Sequence, residues 1–260
     1  MTATMTNNND ELALILVAAG SSARIGFDKT GTKIKKEYLT MQGGTVLSSA
    51  AKAFLSTLNF STVVVTYPAS DNAEDLKANE KKSKEALFAD DFVKNYNAKF
   101  IFIPGGKTRQ ESVHDALEAI EENSPECSLV FIHDGARPFL KSETVELTYR
   151  AALEFGAAVP GLQPTETQKK IDENGFIVKH LVRSSLTAVQ TPQVFKFEPI
   201  LEAHRIAAES SKTFTDDTEI WDEYAAKRKD ENGEPYSRVK VVLGDPENKK
   251  ITYPEDLKSL

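Results

Sequence analysis

Residues 12–26 read LALILVAAGSSARIG, the most informative stretch of the chain. Its apolar run is typical of a buried strand, and the small residues that follow lead to Arg24. Small residues let backbone N–H groups approach a ligand closely, and successive N–H groups in a turn form a concavity for anions. Arg24 adds a planar, permanently charged group suited to phosphate. The stretch predicts a strand leading into a phosphate-binding loop; the simpler interpretation is an ordinary strand–helix connection.

Two commoner phosphate motifs do not fit this loop. The dinucleotide fingerprint GxGxxG needs three glycines, and only Gly20 and Gly26 are present. The P-loop pattern GxxxxGK[ST] is approached from Gly26 onward, but Lys33 lies one position late and the stretch does not directly follow the strand. The sequence therefore favours a different nucleotide loop and gives little support to a dinucleotide-dependent oxidoreductase.

The composition is that of a globular protein. The chain has 260 residues, 40% of them hydrophobic, with a net charge of -7 and Cys127 as its sole cysteine. An acidic balance argues against nucleic acid as the main partner, and no apolar run reaches membrane-spanning length. One cysteine excludes an intrachain disulfide. We expect a soluble cytoplasmic protein with a disordered tail over residues 1–11 and a single domain over 12–260.

Strand-like and helix-like segments alternate along the chain. Apolar runs predict buried strands at 12–17, 62–66, 100–103, 129–132 and 157–159, and helices are predicted at 46–58, 71–95, 108–123 and 142–155. Such alternation predicts an α/β fold whose mostly parallel sheet is covered by helices on both faces. Ligands of these sheets bind at the carboxyl ends of the strands.

A different pattern follows the last of these strands. Two strand-like runs, 168–172 and 176–181, flank Glu173-Asn174-Gly175, and Asn-Gly between such runs favours a hairpin. We expect a protruding β-hairpin arm at about 163–187, exposed or paired with another subunit. The polar segments 28–35 and 227–237 are interpreted as insertions. Segment 227–237 and the lysines of 77–84 are interpreted as solvated surface.

The fourth predicted strand delivers an aspartate to the ligand edge of the sheet. Asp134 follows that strand and is followed by Arg137. A carboxylate together with triphosphate oxygens is the usual way in which proteins hold Mg²⁺. The simpler interpretation is a turn-capping aspartate. His133 is predicted to be structural, because no Gly-x-Ser-x-Gly element accompanies it.

The helix predicted from residue 108 begins at the same edge. Thr108 and Glu111 fit a capping box, and Arg109 and Ser112 lie in the first turn beside Gly105. These first-turn residues are therefore expected near a ligand.

Two lysines complete the candidate site. Lys36 follows the first loop and can fold back over bound phosphates, although it is also interpretable as one more surface lysine beside Lys33 and Lys35. Lys250 alternates with Ile251 and can project to the same edge as Asp134.

The ordered set of motifs resembles the 2-C-methyl-D-erythritol 4-phosphate cytidylyltransferase (IspD) family over about residues 12–260. The matching motifs are AAG at 18–20 with Arg24, KEYL at 36–39, GGKTRQESV at 105–113, HDGARP at 133–138, RS at 183–184, AVQTPQ at 188–193, TDD at 215–217 and KITYPEDL at 250–257. The resemblance implies a Rossmann-like nucleotidyltransferase fold. It also implies that CTP and methylerythritol phosphate react to give CDP-methylerythritol and pyrophosphate.

The resemblance also implies a role for individual residues. The residues implied to be catalytic are Arg24, Lys36, Lys250 and Arg183. The residues implied to bind the nucleotide are Ala18, Ala19, Gly20, Gly105, Ser112, Asp134 and Ala136. The residues implied to bind the acceptor are Arg137, Thr167 and Arg183. Asp134 is implied to hold Mg²⁺. The hairpin arm is implied to join two chains into a homodimer and to supply some of the acceptor contacts.

Several positions depart from the family pattern. Residues 35–38 read KKEY where the family usually has PKQY, so either Lys35 or Lys36 can be the phosphate lysine. Glu166-Thr167 replaces Asp-Thr, and Glu247 replaces the aspartate before Asn248. Two alternatives stay open: a ribitol-5-phosphate cytidylyltransferase and a catalytically inactive nucleotide-binding relative. Arg24 and Lys36 are both predicted to be exposed loop residues.

Overall fold

The computed structural model describes residues 11–26, 34–41, 43–210, 212–229 and 233–259. Most of the predicted tail, most of the segment 28–35 and the middle of 227–237 therefore lie outside the described residues.

Eight strands form the main sheet. They are β1 (Leu12–Val17), β4 (Thr62–Tyr67), β5 (Lys99–Pro104), β6 (Leu129–Asp134), β7 (Ala157–Leu162), β10 (Ala188–Val189), β11 (Gln193–Lys196) and β12 (Lys240–Leu243). Two small sheets pair β2 (Thr40–Met41) with β3 (Gly44–Thr45) and β8 (Lys169–Ile171) with β9 (Ile177–His180). The main order is β10-β7-β11-β6-β1-β4-β5, and β12 also pairs with β7.

The sheet is mixed but mostly parallel, as predicted. Strands β6, β1, β4 and β5 run parallel to one another, and β12 runs parallel to β7. Strand β11 is antiparallel to both β6 and β7, and β10 is antiparallel to β7. The β1–β6 register places Val17 beside Asp134, so the first loop and the aspartate leave the sheet at the same edge.

Helices cover both faces of the sheet, which confirms the predicted layers. They are α1 (Val46–Leu55), α2 (Ala73–Leu87), α3 (Asp91–Lys94), α4 (Arg109–Asn123), α5 (Ser142–Phe155), α6 (Phe197–Glu209) and α7 (Asp217–Glu223). Side chains of β1 alternate between two cores because successive strand residues point to opposite faces. Leu14 and Leu16 belong to the cluster that includes α1, α2 and α5, and Ile15 to the one that includes α4, α6 and α7.

The helix predicted over 71–95 is wrong as a single element. It divides into α2 and α3 because the Asp90 carboxylate accepts from the backbone N–H groups of Phe92 (2.9 Å) and Val93 (3.2 Å), which starts a new helix. Lys52 of α1 donates to the same carboxylate at 2.9 Å.

The two predicted strand-like runs pair as a hairpin, and its protrusion as an arm stays a prediction. Strands β8 and β9 pair in antiparallel fashion, and Gly175 takes φ +85° in the turn between them. Every residue from 169 to 180 is exposed. A role for this hairpin in dimerisation stays a prediction.

Cys127 lies just before β6 and is buried against the core on the α4 and α6 side of the sheet. Burial raises the pKa of its thiol to about 12. None of the helices in the described ranges is both long enough and apolar enough to span a membrane.

Candidate functional site

A cavity of about 1090 Å³ opens at the carboxyl ends of β1, β4, β5 and β6. Each strand contributes the residue at its end or just beyond it: Val17, Pro68, Gly106 and Asp134. The predicted site residues that line this cavity are Ala19, Gly20, Arg24, Lys36, Ser112, Asp134, Ala136 and Lys250. The sheet edge predicted from the sequence is therefore the edge at which these residues meet.

The loop after β1 is anchored at its start and open at its tip. The backbone N–H of Ala18 donates to the Thr66 hydroxyl at 3.0 Å, which ties the loop to β4. Arg24 is exposed, as predicted, and its guanidinium carbon lies 5.3 Å from the centre of the Tyr253 ring. The arginine is thus held at the mouth of the cavity by a cation–π contact.

Gly105 lies against this loop from the end of β5. A side-chain carbon at this position would come within 2.2 Å of the Ala19 side chain, so the close approach requires glycine. The Ser112 hydroxyl accepts from the Gly106 N–H (3.0 Å) and donates to the Thr108 carbonyl (2.9 Å). Ser112 therefore shapes the turn between β5 and α4 and lines the cavity beside it.

The predicted capping box is half formed. The Thr108 hydroxyl accepts from the Glu111 N–H at 3.0 Å, as expected of an N-cap. The Glu111 carboxylate instead accepts from the Lys107 N–H at 2.6 Å.

The prediction that Lys36 is an exposed loop residue is wrong. Its relative exposure is 7%, and its ammonium donates to the Ile251 carbonyl at 2.7 Å. The short 3₁₀ turn Lys36–Tyr38 carries it beneath the C-terminal segment. Burial lowers the pKa of Lys36, and nearby Lys250 acts in the same direction.

Asp134 is the anionic centre of the cavity wall. It is 6% exposed, and one carboxylate oxygen lies 3.1 Å from both Lys250 Nζ and Arg137 Nε. The other oxygen lies 3.8 Å from Arg109 Nε. Burial alone would raise the pKa of Asp134, but Lys250, Arg109 and Arg137 outweigh it and hold the pKa far below its usual range. Asp134 therefore stays ionised, and Lys250 reaches it as the sequence predicted.

Arg109 lies between two carboxylates. Its Nη1 donates to the buried Asp217 carboxylate at 2.8 Å, and His204 Nε2 lies 3.3 Å from the other oxygen of Asp217. Burial opposes the charge, but Asp217 and Asp134 raise the pKa of Arg109. Asp217 is held in turn because its N–H donates to the Gln193 side chain at 3.2 Å. The sequence predicts that Arg109 lies at the ligand edge, but not that it bridges Asp134 and Asp217.

The predicted acceptor residues do not line the cavity of this chain. Arg137 lies behind Asp134 and donates to the Asn248 carbonyl at 2.8 Å. Thr167 and Arg183 are exposed at the base of the hairpin, where Arg183 Nη1 donates to the Thr165 carbonyl at 2.8 Å. None of the three therefore lines the cavity that Arg24 and Lys36 line.

His133 is structural, as predicted. Its Nε2 lies 3.1 Å from the Arg137 carbonyl, and its Nδ1 lies 2.9 Å from the Thr191 hydroxyl. A carbonyl can only accept, so Nε2 carries the proton and the hydroxyl donates to Nδ1. Thr191 also accepts from the Asp134 N–H at 3.2 Å. Burial lowers the pKa of His133 from 6.5 to about 4. This neutral imidazole fixes the backbone that carries Asp134.

A metal ion at this site would need ligands from outside the protein. The described residues contain no cluster of three or more His, Cys, Asp or Glu side chains that could hold one. Glu247 is turned to the surface, where it pairs with Lys141 at 2.6 Å. Asp134 does fit Mg²⁺: its carboxylate is ionised and borders a cavity with room for phosphate oxygens.

Comparison with known proteins settles the family. The sequence model of the 2-C-methyl-D-erythritol 4-phosphate cytidylyltransferase (IspD) family matches residues 12–260. The chain belongs to this family. Enzymes of that name from Clostridium beijerinckii and Caldanaerobacter subterraneus are 33% and 34% identical to it over 246 and 248 residues, and each alignment covers 95% of both chains.

Solved structures agree with the fold. The 2-C-methyl-D-erythritol 4-phosphate cytidylyltransferase from Thermus thermophilus is 27% identical, with a TM-score of 0.64 and 96% of each chain covered. The 4-diphosphocytidyl-2C-methyl-D-erythritol synthase from Anaerococcus prevotii is 23% identical with a TM-score of 0.72, and the match covers 97% of this chain and 95% of that one. This IspD family member thus has the fold that the resemblance implied.

Sequence reasoning missed part of the cavity wall. The lysines of 77–84 were interpreted as solvated surface, yet Lys82 and Asn79 of α2 line the cavity, as does Lys107. Asn79 Nδ2 donates to the Pro68 carbonyl at 2.9 Å, which turns this face of α2 toward the end of β4. The i, i+3 spacing of Asn79 and Lys82 was the available signal.

Proposed function

We propose that this IspD family protein joins CTP and 2-C-methyl-D-erythritol 4-phosphate to give CDP-methylerythritol and pyrophosphate, a step in isoprenoid precursor synthesis. One observation carries the proposal: Arg24, Lys36, Lys250 and Asp134 line a single cavity at the ligand edge of the sheet, in a chain of this family. Three cations beside one buried carboxylate suit a triphosphate better than a neutral ligand.

The proposed reaction is an in-line displacement at phosphorus. A phosphate oxygen of the acceptor forms a bond to the α-phosphorus of CTP, and the bond from that phosphorus to the bridging oxygen breaks and releases pyrophosphate. The protein supplies position and charge, so no covalent enzyme intermediate is required. Arg24 and Lys36 neutralise the charge that builds up on the phosphates, and Lys250 assists them. Arg183 helps to orient the acceptor phosphate.

Mg²⁺ is proposed as the cofactor. When bound, it would neutralise and orient the phosphate oxygens, with Asp134 as its protein ligand. Lys250 and Arg137 contact one oxygen of Asp134, while among the described residues the other oxygen has only the longer Arg109 contact of 3.8 Å. We propose that this second oxygen would coordinate the ion.

The base of CTP is proposed to lie between two backbone segments. Ala19, Gly20, Ser112 and Ala136 line the cavity, whereas Ala18 and Gly105 are buried and do not line it, so their proposed part is to support this pocket. Gly105 packs directly on Ala19, which brings the two segments close together. Such a backbone pocket excludes a purine by size.

The acceptor site is proposed to be completed by a second copy of the chain. Phe176 at the hairpin is 71% exposed, and Ile171, Ile177, Val178 and Val182 are also largely exposed. Exposed apolar side chains gathered in one hairpin favour an interaction site. In the proposed homodimer the hairpin brings Thr167 and Arg183 to the partner's cavity, near the Asp134 that Arg137 contacts from behind. The free thiol of Cys127 is consistent with a reducing cytoplasm, where we propose that the enzyme works.

A pyrophosphate-release assay tests the proposal. CTP with 2-C-methyl-D-erythritol 4-phosphate should be turned over, and CTP with ribitol 5-phosphate should not. Turnover of ribitol 5-phosphate alone would favour the ribitol-phosphate enzyme. Binding of CTP without turnover of either acceptor would favour an inactive relative.

A further inference from the structure

Lys35 and Glu37 contact the loop after β1 through its backbone and the Ser22 side chain. Lys35 Nζ donates to the Gly20 carbonyl at 2.6 Å and lies 2.7 Å from a Glu37 carboxylate oxygen. The Ser22 hydroxyl donates to the same carboxylate oxygen at 3.3 Å and accepts from the Lys36 N–H at 3.3 Å. We call Gly20, Ser22, Lys35 and Glu37 the loop clamp.

The loop clamp holds Ser22 in a backbone conformation that this residue would rarely adopt by itself. Ser22 has φ +51°, in the left-handed region that residues other than glycine rarely adopt. Such a conformation persists where surrounding contacts impose it. The contacts of the Ser22 side chain with Glu37 and with the Lys36 backbone are contacts of that kind.

The Lys35 contact also fixes the direction of a peptide plane. In a trans peptide the carbonyl oxygen and the next N–H point in opposite directions. Because Lys35 holds the Gly20 carbonyl, the Ser21 N–H is turned to the opposite side. A loop for phosphate needs N–H groups and not carbonyl oxygens toward the anion. Gly20 and Ser21 both line the cavity.

Because the ion pair between Lys35 and Glu37 is largely buried, the loss of either partner should have a large effect. The Glu37 side chain is 4% exposed and that of Lys35 is 15% exposed. Losing one partner of a buried pair leaves the other charge poorly compensated, which costs far more than losing a surface pair.

We propose that Lys35 and Glu37 are positioning residues that hold the loop after β1 in the form that receives the triphosphate of CTP. Lys36, between them in the sequence, lines the same cavity as Lys35 and Glu37. This inference rests on the proposed function and adds two residues that act through Gly20 and Ser22.

Three variants test the loop clamp: Lys35→Met, Glu37→Gln and the double variant. Lys35→Met should raise the KM for CTP about 10-fold while kcat changes about 2-fold or less, because ground-state placement of the nucleotide is lost. The double variant should recover part of that loss, since it also removes the buried negative charge. Lys212→Met is the matched control, because Lys212 forms a 2.6 Å ion pair with Glu223 on the surface; its KM should equal that of the wild type.

The outcomes of these measurements are distinct. An unchanged KM for CTP in Lys35→Met, or a double variant as impaired as the sum of the single ones, overturns the loop clamp. If Lys35→Met does not fold, Glu37→Gln decides, since it retains the size of the side chain; a KM for CTP equal to that of the wild type then overturns the inference. Wild-type protein that turns over neither acceptor refutes the proposed function instead, and calorimetric CTP binding by the same variants still tests the loop clamp.

Discussion

Arg24 and Lys36 carry the same proposed role from different environments. Arg24 is exposed against Tyr253, whereas the ammonium of Lys36 is buried against the Ile251 carbonyl. Arg24→Ala should lower kcat about 100-fold, as loss of a transition-state donor does, with little change in Tm. Lys36→Ala should lower both kcat and Tm, because it also removes a buried contact. Initial-rate kinetics and thermal unfolding of the purified variants check this contrast. Equal Tm losses would contradict it.

Asp217 sets the position of Arg109. Asp217→Asn should destabilise the protein by about 3 kcal/mol, because it removes a charge partner from a buried ion pair. It should also raise the KM for CTP, since Arg109 is then free to move onto Asp134. Urea unfolding and steady-state kinetics measure the two effects. Asp217→Glu should recover part of the KM, and Glu223→Gln on the same helix is the control; a stable variant with an unaltered KM would refute the role.

Sequence reasoning at this scale succeeded where two motifs meet at one sheet edge. Asp134 ends a strand and Lys250 alternates with a buried residue, so their contact of 3.1 Å could be anticipated. The burial of Lys36 could not, because it depends on a carbonyl 215 positions away that no local pattern encodes. Lys35 and Lys36 stay alternatives for the phosphate lysine, because both line the cavity; they differ in that Lys35 pairs with Glu37 and Lys36 donates to the Ile251 carbonyl.

At the scale of elements, helix α2 presents two different faces. Lys82 lines the cavity, while its neighbour Lys81 pairs with Glu85 at 3.8 Å along the helix. Lys82→Ala should raise the KM for CTP about 3- to 10-fold through the loss of one cation near the phosphates, and the effect should shrink at high salt. Lys81→Ala should leave the KM unchanged. The two variants are compared at low and high ionic strength; equal values for both would remove Lys82 from the site.

Elements with strong local signals were predicted, and those that depend on distant partners were not. The apolar strands and the helix over 142–155 were identified from periodicity and spacing. Strand β11 was not predicted, because it is only four residues long. Its antiparallel direction and its place between β6 and β7 come from pairing with both strands, which a short run does not encode. The break between α2 and α3 depends on the Asp90 cap, whose effect a lysine-rich helical pattern conceals.

At the scale of the whole molecule, acid should weaken the fold through His133. Its pKa is lowered from 6.5 to about 4 by burial, so the imidazole is neutral in the native state and takes up a proton on unfolding. Its contribution is therefore present above pH 6.5 and is lost as the pH falls toward 4. Between pH 7 and pH 5 the free energy of unfolding should drop by about 2 kcal/mol from this group. Urea unfolding of wild type and His133→Asn measures it; equal pH slopes would contradict it.

The labelling rate of the Cys127 thiol can be used to follow the packing around it. Cys127 is 9% exposed and borders a surface cavity, and burial raises the pKa of its thiol to about 12, so it should react slowly with a disulfide reagent in the native state. A faster labelling rate would report looser packing on the face of the sheet that carries α4 and α6. Labelling rates, followed with and without CTP, would show how strongly occupancy of one edge of the sheet restrains breathing at its opposite end.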